Sequence, residues 1–90
     1  MTYRVKNAAV AIASEVVTSG TAKNPVHTFA DRVHAIRADV AGTIEARLRG
    51  DLDFRTYTVD AGDVIFGEFT QARLGDFAVG QLLGLRLAVA

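Results

Sequence analysis

The sequence predicts a mainly α-helical domain, built as an N-terminal αα-hairpin followed by a third, C-terminal helical segment. Three observations lead there. Apolar residues recur at spacings of three and four through residues 4–18 and 25–49, which gathers them on one face at 100° per residue. A polar break, "TSGTAKNP" (Thr18–Pro25), separates the two stretches, as the short loop of two antiparallel helices does. Further on, "TVDAGDVIFGEF" offers a helix start at Thr58, with Asp60 and Asp63 near its positive end.

In the first helix, 4–18, Val5, Ala8, Ala9, Ile12 and Val16 fall together, and Val10, Ala13 and Val17 widen the arc. Lys6, Asn7, Ser14, Glu15 and Thr18 take the other side. That arc is wider than the stripe of a helix resting on one neighbour, so two neighbours are expected. In the loop, 19–24, Gly20 suits a helix C-cap, and Pro25 disfavours helical geometry at Asn24. Asn24 and Pro25 then read as the N-cap and first residue of the next helix.

The second helix, 25–49, carries a continuous stripe of Val26, Phe29, Val33, Ile36, Val40, Ile44 and Leu48. Arg32, Asp39, Glu45 and Arg49 fall mostly away from it, and Gly50 ends it. Gly42 lies on the polar side, where glycine weakens a helix by about 1 kcal/mol relative to alanine. Residues 50–60 are a variable segment: "DLDFRTYTVD" has the aromatic and β-branched content of a strand. A helix is expected over 60–80, weakened by its glycines, with Phe66, Phe69 and Phe77 as core residues. In "LGLRLAVA", Leu83, Leu85, Leu87 and Val89 alternate with Gly84, Arg86 and Ala88. Residues 81–90 therefore stay open between helix and a short strand or extended tail, and a strand would make the class α+β.

Ninety residues make one domain, which buries only about 60% of the surface its unfolded chain exposes. The chain has no cysteine, so no disulfide or thiolate zinc site supplements the core. Hydrophobic residues nevertheless make up 50% of it, a high share. A small unstapled domain with that much apolar material often completes its core by oligomerising.

Ten basic and ten acidic residues give a formal net charge of zero. That balance disfavours a nucleic-acid binder and a polybasic membrane anchor, and it promotes association. The apolar patch "AAVAIA" is six residues long and Glu15 follows it, too short for a secretory leader. No apolar run reaches the roughly 18 residues of a membrane span. The expected compartment is the cytoplasm.

Few residues suggest chemistry. His27, Asp31 and His34 would stand at i, i+4 and i+7 on the second helix, where two imidazoles and a carboxylate could hold a zinc-like ion. The reading preferred here is a solvated face in which Asp31 pairs with its neighbours, because residues three and four apart adjoin on every helix. No cofactor is expected. The acidic pairs Asp51/Asp53 and Asp60/Asp63 read as turn and helix caps rather than a general acid and base. Arg32, Arg47, Arg49 and Arg55 are interspersed with Asp39, Glu45, Asp51 and Asp53, so nucleic acid is disfavoured as a partner. The expected interface residues are Val5, Ile12 and Val16 of the first helix, with Leu82, Leu83, Leu85, Leu87 and Val89 of the apolar end.

The stretch "AAVAIASEVVTSGTAKNPVHTFADRVHAIRADVAG" resembles the front half of small structural proteins of tailed bacteriophages. The features carrying the likeness are an Ala/Val-rich segment, a Ser/Thr/Gly loop, Asn24 and His27, and then Arg32 and Arg37. "VDAGDVIFGEF", through Asp60, Asp63, Val64 and Phe66, is similar to the start of that family's last helix. "GQLLGLRLAVA" departs from the pattern. The resemblance implies a virion or virion-assembly component with no catalytic residues. The expectation is a non-enzymatic subunit that self-associates or docks into a larger protein assembly. The alternative is a small regulatory or adaptor module, in one form DNA-associated.

Overall fold

The computed structural model describes residues 3–5, 13–16, 26–73, 75, 77 and 80–86, and these form strands and turns with no helix. The strands are β1 (Tyr3–Val5), β2 (Ala13–Val16), β3 (Val26–Ala38), β4 (Gly42–Leu48), β5 (Arg55–Val59), β6 (Val64–Arg73) and β7 (Leu82–Leu85). They make one antiparallel sheet in the order β2-β7-β3-β6-β4-β5, with β1 also on β6.

The mainly helical expectation is therefore overturned. The segment predicted as helix 25–49 is two strands, β3 and β4, with a turn between them. The predicted helix at 60–80 is a turn followed by β6. The first predicted helix, 4–18, has strand β1 at its start and strand β2 near its end; its remaining residues lie outside those described. The strand content read at 51–60 is realised as β5, and the period-2 pattern of the end as β7.

The false helical period has a physical origin in β3. Thr28 faces Gln71 and Val33 faces Phe69, so residues 29–32 stand opposite Thr70 alone. Next, Val33 faces Phe69 and Ala35 faces Phe66, which leaves His34 opposite both Gly67 and Glu68. Such bulges break the alternation of a strand and re-aim its side chains. Phe29, Val33 and Ile36 consequently reach the same core although they are four and three residues apart. Bulged β-structure here imitates a helical stripe. In β4 the plain alternation survives: Ile44 and Ala46 are buried, while Thr43, Glu45 and Arg47 are not.

The larger core joins residues of five strands. Phe29, Val33, Ile36 and Ala38 come from β3, Ile44 and Ala46 from β4, Val59 from β5, Ile65, Phe69 and Ala72 from β6, and Leu82 from β7. Phe77 completes it. On the opposite face, Ala35, Val64 and Leu85 make a smaller cluster, with Phe66 and Leu83 packed against it. Two of the phenylalanines expected in the core, Phe69 and Phe77, are thus buried in the main cluster. The middle of the sheet is covered on both sides, as the adjacent buried pairs Ala35–Ile36 and Val64–Ile65 show.

Two contacts fix how β7 and β4 meet their neighbours. Gly84 lets the Phe29 ring lie directly on the backbone of β7, and Gly42 does the same for Phe77 on β4. Between β5 and β6, Asp60–Asp63 is a turn rather than the helix start that its acidic residues suggest. The Asp63 N–H donates to the Asp60 carbonyl at 3.0 Å, and the Asp60 N–H donates to the Asp63 carboxylate at 2.9 Å. The turn is tied to the end of β3 by Ala38 N–H to the Asp63 carbonyl (3.1 Å) and Gly62 N–H to the Ala38 carbonyl (2.7 Å).

Candidate functional site

The two irregularities in the β3–β6 pairing, a bulge of β3 and then one of β6, hide the fold from the sequence and also build a polar concavity. At the wide bulge Ala30, Asp31 and Arg32 are all exposed in succession. Regular alternation would have turned one of them inward. At the second bulge His34 is exposed opposite Glu68. Together with Arg86, just beyond β7, these side chains line an open cleft of about 260 Å³.

The charges of the cleft run across four strands. The Arg86 guanidinium donates to Asp31 at 2.6 Å. Glu68 lies 4.0 Å from Arg32 and 3.8 Å from Arg49. Arg49 is anchored at its backbone, where its N–H donates to the Glu68 carbonyl at 2.8 Å. All five side chains of these pairs are roughly half-exposed or more, so each pair contributes little to stability, about 0–1 kcal/mol.

The three residues read as a possible ligand set do not assemble. Asp31 and His34 share the cleft, whereas His27 sits edge-on against Phe29 with ring centroids 4.8 Å apart. Among the described residues no three histidine or acidic side chains are placed to hold one metal ion. The i, i+4, i+7 argument fails because the segment is a strand, where that spacing does not gather residues on one face.

The expected interface residues are dispersed. Leu82 and Leu85 are buried within the chain's own sheet, and Leu83 is partly buried beside Leu85. Val5 and Val16 take register positions opposite Val64 and Leu83. Ile12, Leu87 and Val89 lie outside the described residues.

Two features that sequence reasoning missed stand at the surface. The first is Leu52, 99% exposed in the β4–β5 loop, between Asp51 and Asp53. The loop is shaped by the Asp51 N–H, which donates to the Leu48 carbonyl at 3.1 Å. It is braced by Arg55, which donates to the two Asp51 carboxylate oxygens at 2.9 and 3.3 Å. That hydrogen-bonded pairing with Asp51 raises the arginine's pKa above its ordinary value. The second feature is the outer edge of β5. One side of β5 pairs with β4, and among the described residues the other side meets only the Arg4 guanidinium, which donates to the Thr58 carbonyl. A residue's exposure and a strand's free edge depend on the sheet order, which local sequence does not carry.

Among the described residues no helix is long and apolar enough to cross a membrane. Compared with protein-family models, curated proteins and solved structures, the chain matches none of them.

Proposed function

We propose that this chain is a non-enzymatic assembly subunit that self-associates by adding a strand to the open edge of β5. The carrying observation is that edge itself. Five residues, Arg55–Val59, present backbone groups whose partner among the described residues is one arginine side chain. An unpaired edge is a template for another strand, and soluble proteins usually block theirs with a proline, a bulge or inward-pointing charge. β5 has no proline, and its register with β4 runs from Gly42–Val59 to Ala46–Arg55 without a shift. Zero net charge removes the general repulsion between copies. A virion is the setting that the sequence resemblance proposes for such a subunit.

The test is oligomeric state by light scattering over a concentration series, with Thr56→Pro as the probe. The Thr58 carbonyl reaches Arg4 rather than β4, and alternation gives Thr56 the same outward orientation. Proline at 56 therefore removes an outward N–H and leaves the β4 ladder intact, as edge strands tolerate. Self-association lost in this variant, with an unchanged circular dichroism spectrum, is the expected result. A wild-type chain that stays monomeric throughout, or an oligomer indifferent to Thr56→Pro, would overturn the reading.

A further inference from the structure

We propose that the arginine cleft at the bulges of the β3–β6 pairing is the receptor for the Asp51–Phe54 loop of a second copy of this chain, with Asp53 entering between Arg32 and Arg49. The proposal rests on the assembly reading above and assigns it a second contact surface, separate from the β5 edge.

The cleft borders on guanidinium donors that no acceptor among the described residues meets at hydrogen-bond distance. Arg32 and Arg49 share the single Glu68 carboxylate at 4.0 and 3.8 Å, beyond hydrogen-bond reach. Each guanidinium carries five N–H donors in a planar fork that suits a carboxylate. Asp31, the other acid of the cleft, is already taken by Arg86 at 2.6 Å. Arg32 and Arg86 of the lining and the adjoining Arg49 thus face two carboxylates, Asp31 and Glu68, which leaves one guanidinium in excess.

The matching acid is on the same chain. Within its loop Asp51 is held by Arg55, whereas Asp53 is exposed and has no ion pair among the described residues. Its orientation is set, because its Oδ1 accepts the Phe54 N–H at 2.8 Å. Beside it stands Leu52, 99% exposed, an apolar knob that gains only when another surface covers it. An acid next to an apolar residue matches a cleft with spare guanidinium groups beside an open hollow.

Within one chain the loop is held at its root, where the Asp51 N–H donates to the Leu48 carbonyl and the Asp51 carboxylate pairs with Arg55. Loop and cleft nevertheless adjoin, because Arg49, at the root of the loop, lies 3.8 Å from Glu68 of the cleft lining. Adjacent donor and acceptor patches permit a two-fold arrangement in which each copy's loop enters the other's cleft, a closed isologous contact.

The experiment measures self-association of the full chain by sedimentation equilibrium at low and high salt, for wild type, Asp53→Arg, Arg32→Glu, the double variant and Leu52→Ser. The expected result is association weakened about tenfold or more by each single charge reversal and by high salt, with recovery in the double variant. Leu52→Ser is expected to weaken association without lowering the melting temperature. An oligomer sensitive to Thr56→Pro but indifferent to Asp53→Arg and Arg32→Glu overturns this proposal and leaves the assembly reading standing. A monomer at every concentration overturns both. Inorganic phosphate bound through Arg32, with association unchanged by the reversals, would make the cleft an anion site and overturn it too.

Discussion

The Phe29 ring occupies the space that a side chain at residue 84 would need: a Cβ built on Gly84 lies 2.4 Å from the ring's Cε1 and 3.0 Å from its Cζ. Both residues belong to the buried middle of the sheet, where β7 runs along β3 with Gly84 opposite Ile36. The ring cannot retreat, because it is itself 5% exposed and packed in the main core. Gly84→Ala is therefore expected to destabilise the fold by about 1–3 kcal/mol, the usual cost of overpacking. The shift of the urea midpoint measures it, and an alanine variant as stable as wild type would refute the close contact.

Tyr57 leads to the opposite expectation. Its ring meets Phe69 edge-on at 6.2 Å, but its hydroxyl is buried without a hydrogen-bond partner among the described residues. A buried unpaired hydroxyl carries a desolvation cost of about 1–3 kcal/mol. Tyr57→Phe keeps the ring contact and removes that cost, so the variant should equal or exceed wild type in thermal stability. A clear loss of stability would mean that the hydroxyl has a partner.

Asp63 is the one charged residue with no exposure among those described. One carboxylate oxygen accepts the Asp60 N–H and faces Arg4 Nε at 3.4 Å, while the other has no hydrogen-bond partner among the described residues. Asp63→Ala leaves the Asp60 N–H without its acceptor and removes the carboxylate facing Arg4 Nε, an expected loss of about 1–3 kcal/mol. Asp63→Asn retains an acceptor for Asp60 and should lose less. Denaturation of the two variants side by side distinguishes a capping role from simple filling of space.

Gly50 tests backbone conformation without crowding. Its φ is +85°, and a Cβ there would meet nothing within 4 Å. Alanine at this position is expected to cost about 1–2 kcal/mol from the left-handed conformation alone. Asparagine, which tolerates that region better, should cost less. Equal effects of the two substitutions in chemical denaturation would contradict this account.

What the sequence made legible was local. The β-branched and aromatic run Arg55–Val59 reads as a strand, the alternation around Leu83 and Leu85 reads as period two, and Gly50 reads as a break; each agrees with β5, β7 and the loop. The stripe from Val26 to Leu48 misled because the two irregularities of the β3–β6 pairing carry Phe29, Val33 and Ile36 to one core at helical spacing. Between them, three consecutive exposed residues look like the polar side of a helix. The cleft could not be read at all. Arg86 and Asp31 are 55 residues apart in sequence, and only the placement of β7 beside β3 brings them together. Charge and composition, being averages over the chain, say nothing of where Leu52 or the β5 edge lies in the sheet.

The four-against-one stretch of β3 is also slack in the ribbon. Chain length can be taken up or released there while both ends of β3 keep their places against β6. Phe29 is held by the core, so such a change of length falls on Ala30–Arg32, the exposed remainder of the stretch. It would reshape the wall of the cleft formed by Asp31 and Arg32 without moving the ladder on either side.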